Sequence, residues 1–338
     1  MKRNVISQVS RAVAAISLLA LTCSSCESIY DDLAPCPQGV ELRFVYEYNM
    51  EYANAFPKKV DCLTLYVYDS EGNFVTSRTE TSSVLADENY RMQLDLEEGD
   101  YHFVAYGGIA CSEASFETVT EPQSGSSLAS LETKMKLSGD ISDQELHAFY
   151  FGSLDMTVTA DTESYDEGTV EMMKNTNNVR IILQQLNGEP VSSDDFEFSI
   201  TDDNTHFAND NSLISEGEIT YLPWSEGQQS TGTRADAEED DEEVVVAYAE
   251  LSCSRFVTSN SPRLMVNRKE DGETIINIPL INYLLLVKSD HYSDMGSQEF
   301  LDRQSEWTMV FFLDEQDQWW QAYIVVNDWT VRINDALF

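Results

Sequence analysis

Residues 62–75 read Cys62-Leu63-Thr64-Leu65-Tyr66-Val67-Tyr68-Asp69-Ser70-Glu71-Gly72-Asn73-Phe74-Val75. Leu63, Leu65 and Val67 alternate with Cys62, Thr64, Tyr66 and Tyr68, the period-two pattern of a strand. Asp69 to Asn73 is a turn with glycine in it, so the stretch predicts a β-hairpin. Working outward, Val40 to Tyr48 alternates with Val40, Leu42, Phe44 and Tyr46 on one face. Tyr90, Met92, Leu94 and Leu96 alternate next. Glu97-Glu98-Gly99-Asp100 then turns the chain into Tyr101–Tyr106, which Gly107-Gly108 ends. Short strands at this spacing predict a β-sandwich. Residues 108–147 are looser and Ser-rich, and Phe149–Thr159 reads as a closing strand. A polar, acidic stretch at 160–168 marks a domain boundary.

Beyond it, strands are predicted from Val179, at 196–200, 218–222, 244–252, 263–268 and 273–279, then at 307–313, 321–326 and 329–331. Pro279–Val287 reads as a short helix or an extended crossover, and Ser297–Trp307 has helical spacing at Phe300 and Leu301. Residues 225–243 read as one solvated loop, because seven of the eight residues from Asp236 to Glu243 are acidic. A bare acidic run is surface decoration rather than a calcium site, which needs its oxygens held in a ring.

The 338 residues carry 20 Lys+Arg against 60 Asp+Glu, a formal net charge of −40. Nucleic-acid binding is excluded, since it needs a basic face to displace counterions from phosphates. Electrostatic docking on anionic headgroups is disfavoured for the same reason. The acidity is not that of a disordered chain: 16 Tyr, 15 Phe and 5 Trp supply a core.

The N-terminus reads as an address. Lys2, Arg3 and Arg11 precede the apolar run Ala12–Thr22, whose eleven residues are about half of a bilayer span. Leu21-Thr22-Cys23-Ser24-Ser25-Cys26 looks like a bacterial lipobox, in which diacylglycerol alkylates the thiol and cleavage leaves that cysteine first. Cys26 is preferred over Cys23 because Ser25 before it is small, although Cys23 stands where an aliphatic residue is usual. Glu27, Asp31 and Asp32 resemble the surface-export signal of Bacteroidetes lipoproteins, or serve as a solvated tether. Removing residues 1–25 leaves 17 Lys+Arg against 60 Asp+Glu, a net charge of −43. An oxidising envelope compartment permits disulfides. Cys36, Cys62, Cys111 and Cys253 then allow three full pairings.

Catalytic and cofactor motifs do not emerge. His102, His147, His206 and His291 sit in no HExxH frame, and no GxSxG, Walker loop or GxGxxG occurs. The expectation is therefore no enzyme, no cofactor and no metal site. No Cys-x-x-Cys pair survives processing to hold zinc. Trp319-Trp320 is the most suggestive aromatic pair for stacking a glycan. In a strand the two rings point to opposite faces, which leaves one of them for the core.

Several blocks carry a family likeness. They are Cys36-Pro37, Val60–Asp69, the Gly99–Gly108 segment GDYHFVAYGG, Asn277-Ile278-Pro279-Leu280, Gln298–Arg303, Phe311–Asp314 and Trp329-Thr330-Val331. In this order the chain resembles the FimB-type fimbrial anchor (minor-fimbria anchor) family of Bacteroidales lipoproteins, whose shafts are called type V pili. The resemblance implies an all-β protein of two tandem transthyretin-like (Ig-like) β-sandwich domains with short helices in the connections. It divides the chain into a signal peptide (1–25), a lipidated tether (26–38), an N-terminal domain (39–165) and a C-terminal domain (170–338).

It also implies an outer-membrane lipoprotein at the fimbrial base, held by acyl chains on Cys26, that attaches the shaft and limits its length. Its partner is the shaft subunit, or fimbrillin, of the same organism, joined by strand addition. A tip or minor subunit of the same architecture and a surface glycan-binding lipoprotein are the alternatives. Shaft subunits of the family are trimmed by an Arg-specific protease. Here Arg43 falls inside a predicted strand, and Arg234 in the acidic loop is the weaker remaining target.

Overall fold

A computed structural model describes residues 39–159, 164–233, 243–289, 292–326 and 329–334. The chain is mostly β. Seven strands form the first sheet, in the order β3 (Phe74–Glu80), β2 (Leu63–Asp69), β5 (Gly99–Gly107), β9 (Tyr150–Val158), β10 (Asp166–Lys174), β1 (Val40–Val45) and β4 (Met92–Leu94). The hairpin read from the sequence is β2–β3. Asp69 builds its turn: one side-chain oxygen accepts the amides of Glu71 at 2.9 Å and Asn73 at 2.8 Å, while Gly72 takes φ 78°.

One face of this sheet encloses a core of Val40, Leu42, Phe44, Leu63, Leu65, Val67, Phe103 and Met172. Its other face is buried as well. Tyr66, Tyr68, Tyr106 and Phe149, all at most 2% exposed, pack into a second core. That explains why β2 is apolar at nearly every position: a strand covered on both sides needs no polar face.

The cover comes from residues 108–147. Gly108 starts this excursion at φ 93°, where a Cβ would meet the Ala148 carbonyl oxygen at 2.1 Å, so only glycine fits. The excursion contains β6 (Phe116–Thr118), β7 (Thr133–Met135) and β8 (Ile141–Ser142). In a three-stranded sheet β7 lies between β6 and β13 (His206–Phe207). β8 pairs in parallel with β14 (Ile219–Tyr221), at the edge of a five-stranded sheet. That sheet runs β18 (Thr274–Pro279), β17 (Arg263–Arg268), β12 (Phe196–Asp202), β14 and β8.

A six-stranded sheet faces the same core in the order β15 (Ser225–Thr233), β16 (Glu243–Ser254), β11 (Thr176–Gln185), β19 (Glu306–Leu313), β20 (Trp319–Val326) and β21 (Trp329–Asn334). Its inward residues include Val179, Ile181, Leu183, Met309 and Phe311, all at most 1% exposed. The helices are short: α1 (Phe56–Lys59), α2 (Leu280–Leu286) and α3 (Ser297–Arg303). The segment that could be helix or crossover is therefore helix, buried through Leu280, Ile281, Tyr283 and Leu284.

Three expectations change. The strand from Phe149 does not close the first sheet, because β10, placed across the boundary and the second domain, pairs with both β9 and β1. Residues 225–243 are not one loop: Ser225–Thr233 pairs with β16, and the residues after Thr233 up to 242 lie outside the described residues. The excursion is not a loose connection but part of the second core. An aromatic group joins the pieces: Phe116 stacks on Phe149 at 4.5 Å, and Phe207 meets Phe149 at 5.6 Å.

Candidate functional site

In a β protein the sheet edges are the first surfaces to consider. An edge strand presents unpaired amides and carbonyls, and natural proteins blunt such edges with polar, short or irregular strands. Most edges here are blunted. β3 carries Thr76, Ser77, Arg78, Thr79 and Glu80, β4 has three residues and β8 has two. β15 is the polar run SEGQQSTGT with a bulge, and β18 has a register shift and ends at Pro279.

β21 differs. It is the hexapeptide Trp329-Thr330-Val331-Arg332-Ile333-Asn334, paired on one side with residues 321–326 of β20. Its other side has no strand beside it among the described residues. Apolar and polar residues alternate along it, which suits it to receive another strand.

Buried polar groups brace the C-terminal half, and one arginine reaches from it to the first sheet. Asn175, fully buried, exchanges amide hydrogen bonds with Asn211 at 2.7 and 3.1 Å. Arg255 grips Asp302 with two parallel bonds of 2.7 and 2.8 Å and donates to the Asn211 carbonyl at 2.9 Å. Paired in this way, each charge has a partner that offsets its desolvation. Arg303 on α3 lies over the rings of Tyr48 at 4.1 Å and Tyr52 at 4.7 Å, in the loop after β1.

Cys62 and Cys111 form a disulfide, tying the excursion to the start of β2. Cys253 is a buried free thiol, pushed well above its ordinary range by burial, so it is a core residue rather than a nucleophile. Cys26, the expected acylation site, lies outside the described residues, as do Cys23, Cys36, Arg234 and His291. The disulfide spans 49 residues of sequence. By loop-closure entropy it is worth about 4 kcal/mol at the upper limit. Cys62→Ala with Cys111→Ala is expected to cost about 2–4 kcal/mol in urea unfolding; a loss below about 0.5 kcal/mol would count against it.

Asp61, the Cys111 sulfur and His147 lie within 4.8 Å of one another. The sulfur is oxidised in the disulfide and is no thiolate ligand, which leaves one carboxylate and one imidazole, too few to hold a metal. The other described histidines sit beside carboxylates: His102 with Asp155 at 2.5 Å, and His206 between Glu132 and Glu216, each at 3.0 Å. Trp319 packs on Phe311 and Tyr283, whereas Trp320 is 61% exposed, so the pair does face opposite ways.

Asp202 is the most perturbed carboxyl. It is 3% exposed; Oδ1 accepts from Asn260 and the Asp203 amide, while Oδ2 is buried without a partner. Burial pushes its pKa up to about 6, helped by the charges of Asp203 and Glu218. The folded chain then holds this proton to a higher pH than the unfolded chain does. The stability it contributes is full below about pH 4 and is lost as pH rises through about 6. Two units correspond to about 3 kcal/mol. Asp202→Asn, which stays neutral, is expected to gain about 1–3 kcal/mol on wild type at pH 7.5 and little at pH 4. Equal differences at the two pH values in urea unfolding would refute this.

Residues 33–335 match the family model of the fimbrillin-A associated anchor proteins Mfa1 and Mfa2. Among solved structures, a candidate adhesin of Bacteroides thetaiotaomicron is 56% identical, with a TM-score of 0.82 over 90% of this chain and 100% of that one. A candidate polysaccharide-binding protein of the same organism is 28% identical, with a TM-score of 0.74 over 88% of this chain and 98% of that one. The fimbrial anchor protein Mfa2 of Porphyromonas gingivalis is 15% identical, with a TM-score of 0.66 over 88% of this chain and 100% of that one. At that identity the likeness shows the fold alone. No curated protein matches the sequence.

Proposed function

The chain belongs to the Mfa2 family of fimbrillin-A associated anchor proteins, and from that premise we propose that it is the lipid-anchored base subunit of a fimbrium. Membership makes it an accessory protein of the cell-surface fimbrium, in a family of structural rather than enzymatic proteins. The finer reading is an outer-membrane lipoprotein that attaches the shaft to the cell and limits its length. Its partner is the shaft subunit of the same organism, joined by strand addition. Residues 1–25 are the signal peptide, residues 26–38 the tether from acylated Cys26, and two transthyretin-like β-sandwich domains follow.

The observation that carries the strand-addition reading is the unblunted edge of β21 in a molecule whose other sheet edges are short, polar or irregular. Main-chain hydrogen bonds along such an edge give affinity, and alternate side chains give specificity. Arg43 supports an anchor that keeps its tether. It lies in β1 between β10 and β4, where a protease would have to open the sheet to reach its backbone. Deleting the gene tests the reading: fimbriae should detach from the cells and vary in length. Normally attached fimbriae of normal length would overturn it. Immunogold labelling at the shaft's far end instead of its base would assign the tip role.

A further inference from the structure

We propose that the cleft between the first sheet, the 108–147 excursion and the start of β11 binds an acidic saccharide, a hydroxyl-rich ligand carrying a carboxylate or phosphate. The proposal is independent of the anchoring role. The cleft has a volume of about 1100 Å³, enough for several sugar rings and at the top of the range of ligand sites.

Its cations are out of proportion to the chain. Four of the eight lysines in the sequence, Lys58, Lys59, Lys136 and Lys174, line it. With three acids for every base, a lysine without a carboxylate is informative. Lys174 has one, with Nζ 3.1 Å from Glu306. Lys136 donates instead to the Ala114 carbonyl at 2.9 Å. Among the described residues, Lys58, Lys59 and Lys136 have no carboxylate within 4.0 Å. Lys58 and Lys59 are exposed neighbours at the end of α1. Both add positive charge at the rim of the cleft that no described carboxylate neutralises by contact.

The floor adds neutral donors. Thr176 is 3% exposed and its hydroxyl is buried without a partner. Burial raises the Tyr150 hydroxyl above its ordinary range, so it keeps its proton.

The acids that share the cleft select the class of ligand. Glu113, Asp143 and Glu145 are exposed on its wall. A dense polyanion would meet them as like charges, and an apolar molecule would strip water from the ammonium groups without replacing it. Sugar hydroxyls donate to the carboxylates while a sparse anionic group meets the lysines. One molecule then satisfies both sets.

The test is calorimetric titration of the purified full chain with tetragalacturonate and with mannose 6-phosphate. A neutral galactose tetrasaccharide, inorganic phosphate and a short Asp/Glu peptide are the parallel probes. At least one acidic saccharide should bind, with the neutral one at least tenfold weaker. Lys58→Gln with Lys59→Gln should lower affinity tenfold or more. Lys269→Gln, at an exposed lysine outside the cleft, should leave it unchanged. Because Lys58 and Lys59 are exposed, an unchanged thermal midpoint checks that the variant folds. Any of the following overturns the proposal: no binding of either acidic saccharide at millimolar concentration, equal binding of the neutral one, phosphate or the peptide binding as tightly as the saccharide, or unchanged affinity in the double variant. Attachment of fimbriae is scored on cells, so failure here leaves the anchor reading untouched.

Discussion

Replacing Cys26 with alanine is expected to remove the protein from the outer-membrane fraction and to block removal of residues 1–25. The expected loss is at least about a hundredfold in bound protein. The physical reason is that nothing among the described residues substitutes for acyl chains. Each buried methylene is worth about 0.8 kcal/mol, and one chain alone binds only reversibly, so stable anchoring takes more than one. Electrostatic rescue is closed off, because the uncleaved chain's net charge of −40 is repelled by an anionic leaflet. Among the described residues, no helix is long and apolar enough to cross a membrane. Palmitate labelling of Cys26→Ala and Cys23→Ala checks the choice of cysteine. Label retained in the first and lost in the second would assign Cys23. Label and membrane association retained in both would remove the lipid anchor from the account.

The legible parts of the fold are those where burial is one-sided or the turn chemistry is local. The β2–β3 hairpin could be read because Asp69 and Gly72 specify it within five residues. Other strands were hidden for identifiable reasons. β15 has almost no apolar side chain; it exists through backbone bonds to β16, which no periodicity records. β10 buries Val170 and Met172 inside an acidic run, and its parallel partner β1 lies more than a hundred residues earlier. The excursion looked like a loop because its strands have two or three residues each. Only the Phe116–Phe149–Phe207 packing shows them to be core. The Cys62–Cys111 pairing stayed one of several options, since spacing alone does not bring two cysteines together.

The same asymmetry holds for function. Family blocks and the lipobox are local strings and can be read directly. The lysine cleft assembles residues 58, 136 and 174 from three distant segments, and only the fold places them together.

Ending the chain after Asp328, which removes β21, is expected to reduce attachment of fimbriae to cells at least tenfold while leaving the first sheet intact. The second half of that statement follows from the topology. All seven strands of the first sheet, and every residue of the core they enclose, lie between Val40 and Lys174. Protease resistance and the resistance of the Cys62–Cys111 disulfide to reduction should therefore match wild type. The first half follows from the edges. Without β21 the six-stranded sheet would end at β20, and residues 321–326, which β21 covers, would become the edge. An incoming strand would meet the edge one strand further in, with the opposite strand direction and a different set of side chains, so the pairing specified by β21 would be lost. Truncation could also loosen the second core, so a second variant separates the two causes. A charged substitution, Val331→Lys, keeps the backbone but places a lysine on the edge, as blunted natural edges do. It should reduce attachment with a smaller loss of thermal stability. Val75→Lys, at a 43% exposed position on the edge strand β3, is the matched control and should attach normally. Unchanged attachment in both the truncation and Val331→Lys would take β21 out of the assembly contact.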